Sequence, residues 1–172
     1  MVRNRFRPGA SLLLTASCLA PLAAQAQTVP LFSTGVDAIG APMNGGDRDD
    51  HYTFVQDFAR GFILNNQTPG PYVQSPTSRW IWANAAGTGS GVFDCFTTFT
   101  LTAQEVASGI SLTGRWTTDN TGSLLLNGVA QSSTFNSPDF TAWTPFNITS
   151  GFTVGTNTLT FRVTNLNDFA AA

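Results

Sequence analysis

The stretch Ile110 to Gly128 carries the clearest pattern in the chain. Ile110, Leu112, Gly114, Trp116 and Thr118 alternate with Ser111, Thr113, Arg115, Thr117 and Asp119. A period of two places one set on each face of a strand. Asp119-Asn120-Thr121-Gly122 interrupts the run with residues that tolerate turn conformations. Ser123 to Leu126 reads as the returning strand, and Asn127-Gly128 is a strong hairpin signal. The pattern predicts a β-meander of two successive hairpins.

The same alternation recurs on both sides of it. Val29–Thr34, His51–Gln56, Gly61–Leu64 and Arg79–Ala83 read as short strands, the last with Trp80 and Trp82 on one face and Ile81 on the other. Val92–Leu101 is a long strand with Phe93, Cys95, Phe99 and Leu101 inward. Trp143–Thr149 is a further strand. In Asn157–Asn165, Leu159, Phe161 and Val163 point in, while Thr158, Thr160, Arg162 and Thr164 point out. Loops rich in Gly, Asp, Pro and Ser lie between, notably 35–50, 65–78 and 132–142. Thr102-Ala103-Gln104-Glu105 is a capping-box signature and predicts one short helical turn before Gly109. Many short alternating strands predict an all-β, antiparallel β-sandwich.

Composition places this sandwich outside the reducing cytoplasm. Arg3, Arg5 and Arg7 precede the short apolar run Ser11–Ala23, and Ala24-Gln25-Ala26 has the small-x-small form of a cleavage site. Residues 1–26 read as a signal peptide, with Gln27 the first mature residue and 27–172 one domain. The apolar run is too short to span a membrane. Secretion, to the periplasm or the cell surface, follows. Cleavage removes Cys18 and leaves Cys95 without a disulfide partner. Five arginines then face ten acids, a mature charge near −5, with no lysine. Such a chain lacks the cationic surface that nucleic acid requires.

The run F-x-x-x-F-x-L, then SLTGRWTTDN, LLLNG and NTLTFRVTN, resembles the galactose-binding-like jelly roll. It is similar to the sugar-binding β-sandwich modules of many glycosidases. Leu31–Asp37 and Asp49–Val55 also resemble exported bacterial proteins of the PEP-CTERM type. The resemblance spans most of Leu31–Asn165. It implies one further strand after Val163, which the sequence to Ala172 does not supply. The expected sandwich therefore lacks its last strand and offers an open edge for self-association.

The resemblance implies a carbohydrate or exopolysaccharide partner and a structural Ca²⁺ in an N-terminal loop. Asp37, Asp47, Asp49 and Asp50 are the candidate calcium ligands, since Ca²⁺ takes several hard oxygens from a turning loop. A solvated acidic loop is the plainer account of them. Flat aromatic faces stack on pyranose rings, so Trp80, Trp82 and Trp143 are the candidate platforms. Trp116 shares the inward parity of Leu112 and reads as core. Asp119 and Asn120 could offer a polar edge to a sugar, with a turn role as the alternative. Arg115 and Arg162 face outward, either in sheet-surface salt bridges or toward an acidic sugar.

Enzyme chemistry has little to stand on. His51 is the sole histidine, no G-x-S-x-G surrounds a serine, and His51 and Cys95 are too few for zinc. Glu105, the sole glutamate, is explained by the capping box. The expectation is a non-catalytic, carbohydrate-binding module, with a structural or adhesive protein of the exopolysaccharide layer as the alternative.

Overall fold

A computed structural model describes residues 27–29, 31–56, 58–66, 72–134 and 140–166. The expected signal peptide lies outside them, as do residues 135–139 of the expected 132–142 loop and the end of the chain. The strands are β1 (Gln27–Thr28), β2 (Arg48–Phe54), β3 (Ala59–Ile63), β4 (Ile81–Trp82), β5 (Gly91–Leu101), β6 (Ile110–Trp116), β7 (Thr121–Leu126), β8 (Val129–Thr134), β9 (Thr144–Ile148) and β10 (Gly155–Asn165). One helix, α1 (Ala103–Ser108), joins β5 to β6.

These strands form a mostly antiparallel β-sandwich. One sheet has seven strands in the order β4-β3-β2-β5-β10-β7-β8; the other has three, β1-β6-β9. The backbone of the large sheet is the pair β5–β10, in register from Gly155↔Leu101 to Asn165↔Gly91. Its alternation follows the sequence: Cys95, Leu101, Leu159 and Val163 are buried, whereas Thr98, Thr100 and Arg162 are exposed. Arg162 faces Asp94 across that outer surface, with Nε and Nη2 each 2.7 Å from a carboxylate oxygen. The capping box closes as expected: Thr102 Oγ1 accepts from Glu105 N, and the Glu105 carboxylate accepts from Thr102 N at 2.7 Å.

The expected meander is half right. β7 and β8 form the Asn127-Gly128 hairpin, with φ of 51° and 80° at the two turn residues. β6 and β7, however, are not paired. β6 belongs to the small sheet and β7 to the large one. Asp119–Gly122 is therefore a crossing between sheets, not a hairpin turn. Thr117, Thr118, Asp119 and Asn120 are all buried there. The expected first strand, Val29–Thr34, is not found: the two-residue β1 lies just before it, and the chain from 31 to 34 runs without strand pairing.

Two hydrophobic clusters fill the space between the sheets. Phe54, Ile63, Trp80, Ile81 and Trp82 dominate one, and Leu112, Trp116, Leu124, Leu126 and Leu159 the other. Phe161 touches both. Its ring meets Tyr52 on one side at 6.0 Å and Trp116 on the other at 5.2 Å, both edge-on.

Candidate functional site

A cleft of about 420 Å³ opens between the sheets where the two clusters meet. The pairing of β1 with β6 covers only Gln27↔Ile110 and Thr28↔Ser111, so the rest of β6 lines the cleft instead. Its walls include Tyr52, Trp80, Cys95 and Phe161 from the large-sheet side and Leu112 and Trp116 from the small sheet. The segment 31–34 closes a third side.

That segment is held by hydrogen bonds rather than by a ladder. Tyr52 Oη donates to Phe32 O at 2.8 Å. Thr34 Oγ1 donates to Arg79 O at 2.7 Å, and Arg79 N donates to Thr34 O at 2.9 Å. Gly35 follows with φ of 68°, and a Cβ there would stand 2.2 Å from Arg79 Cβ. Only glycine lets the two chains come this close. Phe32 is 45% exposed and lies flat on the His51 ring, 3.9 Å away. It lines the cleft too.

Besides Phe32, the exposed part of the lining carries polar groups. Thr113 and Arg115 are exposed on β6, and Trp143, half-buried, sits just before β9. Arg115 Cζ lies 4.8 Å from the Trp143 ring centroid, a cation–π arrangement. Arg79 also lines the cleft, and its Nη1 donates to Ser78 O at 3.0 Å and Ser75 O at 3.3 Å. A concave, mainly apolar and aromatic space with a few convergent polar groups is the usual form of a small-ligand site.

The expected site residues fall in different places. Trp143 meets the cleft with one part of its surface available. Trp80 reaches the cleft wall, but it is only 6% exposed, its Nε1 donates to Val73 O at 3.0 Å, and Tyr72 covers it edge-on at 5.0 Å. Trp82 is wholly buried between Phe54 and Phe93, and its Nε1 donates to Thr88 O. It has no face to offer a sugar. The alternation assigned Ile81 to the opposite side from these tryptophans, yet all three are buried, because β4 is covered on both faces. Trp116 is core, as expected.

Asp119 and Asn120 do not line the cleft; they build the crossing. Tyr72 Oη and Asn120 Nδ2 both donate to the Asp119 carboxylate, the latter at 2.6 Å. Asn120 Oδ1 accepts from Leu166 N at 2.7 Å. Burial raises the Asp119 pKa, and its two hydrogen bonds offset part of that rise. The polar edge expected for a ligand is consumed by the protein itself.

The four aspartates of the first loop also have separate tasks. Asp37 Oδ1 accepts from Ile39 N and Ala41 N at 2.9 Å each. Asp47 accepts from Asn44 N, and Asp50 pairs with Arg60 at 2.9 Å. Asp49 is fully buried. Its Oδ1 accepts from His51 N and Tyr52 N at 2.7 Å, and its Oδ2 from Gly35 N. These bonds account for the irregular register of β2 against β3, because ladder N–H groups turn to the carboxylate. Burial raises the Asp49 pKa. Among the described residues no three His, Cys, Asp or Glu side chains gather to hold a metal ion. The buried Asp49 already spends both carboxylate oxygens on backbone N–H groups, and the four side chains do not gather at one point.

The groups that might suggest catalysis are placed for packing. Burial pushes the Cys95 thiol up, which keeps it neutral. His51 Nε2 lies 2.8 Å from Asp37 O. Among the described residues no helix is long and apolar enough to cross a membrane.

No family model matches the chain, and no curated protein does. Among solved structures, the chain is similar to a family 35 carbohydrate binding module from an environmental isolate. The identity is 14%, over 64% of this chain and 77% of that one, with a TM-score of 0.35. A likeness of that size bears on neither ligand nor activity.

Sequence reasoning missed Phe32, Arg79 and Thr113 as cleft residues. Nothing in their spacing marks them, since they converge only when the sheets close.

Proposed function

We propose that this protein is an exported, non-catalytic carbohydrate-binding module that takes a saccharide in the cleft between its sheets, at the cell surface or in extracellular matrix. The observation that carries the reading is the exposed lining: Trp143, Arg115 and Thr113 stand together beside an apolar wall. The indole stacks on the apolar face of a pyranose, and the guanidinium and hydroxyls bond its rim. Export rests on the sequence pattern of residues 1–26 alone.

Polysaccharide pull-down and titration calorimetry on the mature protein test it. Trp143→Ala weakens glycan binding by about tenfold or more and leaves the melting temperature nearly unchanged. Retained affinity in that variant, or no binding of the parent protein to any glycan, defeats the reading. The structural or adhesive alternative draws on a different observation. Among the described residues β8 ends the large sheet with pairing on one side only, and Val129 on it is 65% exposed. Self-association without glycan binding is the outcome that favours this alternative.

A further inference from the structure

We infer that the cleft selects acidic saccharides, with the carboxylate of a uronate unit bound by Arg115 on its Trp143 support and Arg79 contributing positive charge to the same space. This rests on the cleft being the saccharide site. The inference starts from how the arginines are matched. Arg60 pairs with Asp50, and Arg162 pairs with Asp94. Arg48 lies across the Phe62 ring and donates to Arg60 O, away from the cleft. Arg79 and Arg115, the two arginines of the cleft, have no carboxylate in salt-bridge range among the described residues. Nor is there an aspartate or glutamate among the described residues of its lining. The chain as a whole carries ten acids against eight arginines. An acid-free lining with two arginines therefore runs against the composition.

The geometry of Arg115 adds direction to the charge. A guanidinium resting near an aromatic ring keeps a stable orientation and leaves edge N–H groups for an incoming planar anion. A carboxylate matches that fork with two parallel hydrogen bonds, and charge-assisted bonds of this kind are the strong ones. A neutral hexose offers only single hydroxyls there. Arg79 acts differently. Its Nη1 is tied to Ser75 O and Ser78 O, so it serves as a fixed positive charge. Apolar walls beside both arginines limit solvent screening inside the cleft.

The test compares one backbone with and without its charge. Titration calorimetry of the mature protein uses oligomers of polygalacturonate and the same oligomers with their carboxyls methyl-esterified. The free acid binds about tenfold or more tightly than the ester, and its affinity falls with rising salt. Arg115→Gln weakens acid binding roughly tenfold to hundredfold and ester binding by far less, since the ester loses only single hydrogen bonds to the guanidinium. Arg79→Gln weakens acid binding less, because it loses charge without losing a bidentate contact. Equal affinity for acid and ester overturns the inference while the carbohydrate reading stands. An Arg115→Gln protein that still prefers the acid overturns it too. No binding to either oligomer, or to a panel of neutral and acidic glycans, overturns both. Folding of each variant is checked by its melting temperature, and Arg115→Lys, which keeps the charge without the fork, recovers only part of the acid preference.

Discussion

The crossing at Thr117–Asn120 and the hairpin at Asn127–Gly128 are built from the same kinds of residue and do opposite things. In the hairpin the turn residues are exposed, and the backbone conformation alone makes the reversal. Asn127 and Gly128 take positive φ, the chain reverses, and β8 lies back on β7. Asn127 then fastens the turn outward to the rest of the sheet: Nδ2 donates to Gly151 O and Asn157 Oδ1, and Oδ1 accepts from Thr158 N. In the crossing, Asp119 and Asn120 are buried, and their polar atoms satisfy each other, Tyr72 and Leu166 N. A buried polar group without a partner is costly, so the crossing can exist only where distant segments supply those partners. The reversal at Asn127-Gly128 is set locally and fastened at long range; the crossing depends on distant segments from the start.

Glycine substitutions separate the two most sharply. Gly122, at the end of the crossing, sits where an added Cβ would meet Trp116 Cη2 at 2.8 Å and Arg162 O at 3.0 Å. Gly122→Val destabilises by about 3 kcal/mol in urea unfolding, because backbone and a buried indole must move. An effect below that of Gly128→Ala would mean the sheets do not close over this point.

Asn120→Ala comes next. It removes the acceptor of Leu166 N and one of the two donors to the buried Asp119 carboxylate, and costs about 2 kcal/mol. Asn127→Ala removes bonds from a water-accessible turn and costs about 1 kcal/mol. The reverse ranking would break the comparison. Gly128→Ala is similarly small, about 1 kcal/mol, from the left-handed conformation alone, since nothing lies within 4 Å of the added Cβ.

The gentlest probe is pH. Burial raises the folded pKa of Asp119 above the ordinary aspartate value. The contribution is therefore full below that ordinary value and is lost as pH rises through the raised folded value, where the crossing must hold an ionised carboxylate. Asp49 acts in the same sense, also through burial, and Glu105 opposes it, its pKa lowered by the Thr102 N–H and hydroxyl. Asp119→Asn isolates the one group. The melting temperature of the parent protein gains on that of the variant as pH falls from 7.5 toward 4. A constant gap across that range would place Asp119 in solvent.

How much of this was legible depended on whether one segment could decide it. The inward sets of β5 and β10 follow from alternation, because each strand has one face on the core and one in water. Asn127-Gly128 and the Thr102–Glu105 capping box follow from chemistry within four residues. The burial of Trp116 and Cys95 follows from parity. Two readings went astray, and a third residue group stayed undecided in sequence, for a shared reason. The Asp119–Gly122 break has turn residues, yet whether a chain reverses within a sheet or crosses to another depends on what it meets. Trp80 and Trp82 alternate with Ile81, yet alternation distinguishes faces only when one face is wet. Asp37, Asp47, Asp49 and Asp50 are neighbours in sequence, yet their partners lie apart, backbone N–H groups for three of them and Arg60 for Asp50. The cleft is of the same kind: Phe32, Arg79, Arg115 and Trp143 come from four separate segments.

The amino-acid sequence by itself determined a two-layered, antiparallel β protein, its inward faces, one hairpin and one helix cap. Each of these depends on interactions between near neighbours or on which side chains avoid water. Tertiary structure decided which sheet each strand joined, which tryptophan kept an exposed surface, and which arginines were left without a carboxylate among the described residues. Those outcomes depend on the distances between remote segments, and a chain acquires such distances only when its layers close on one another.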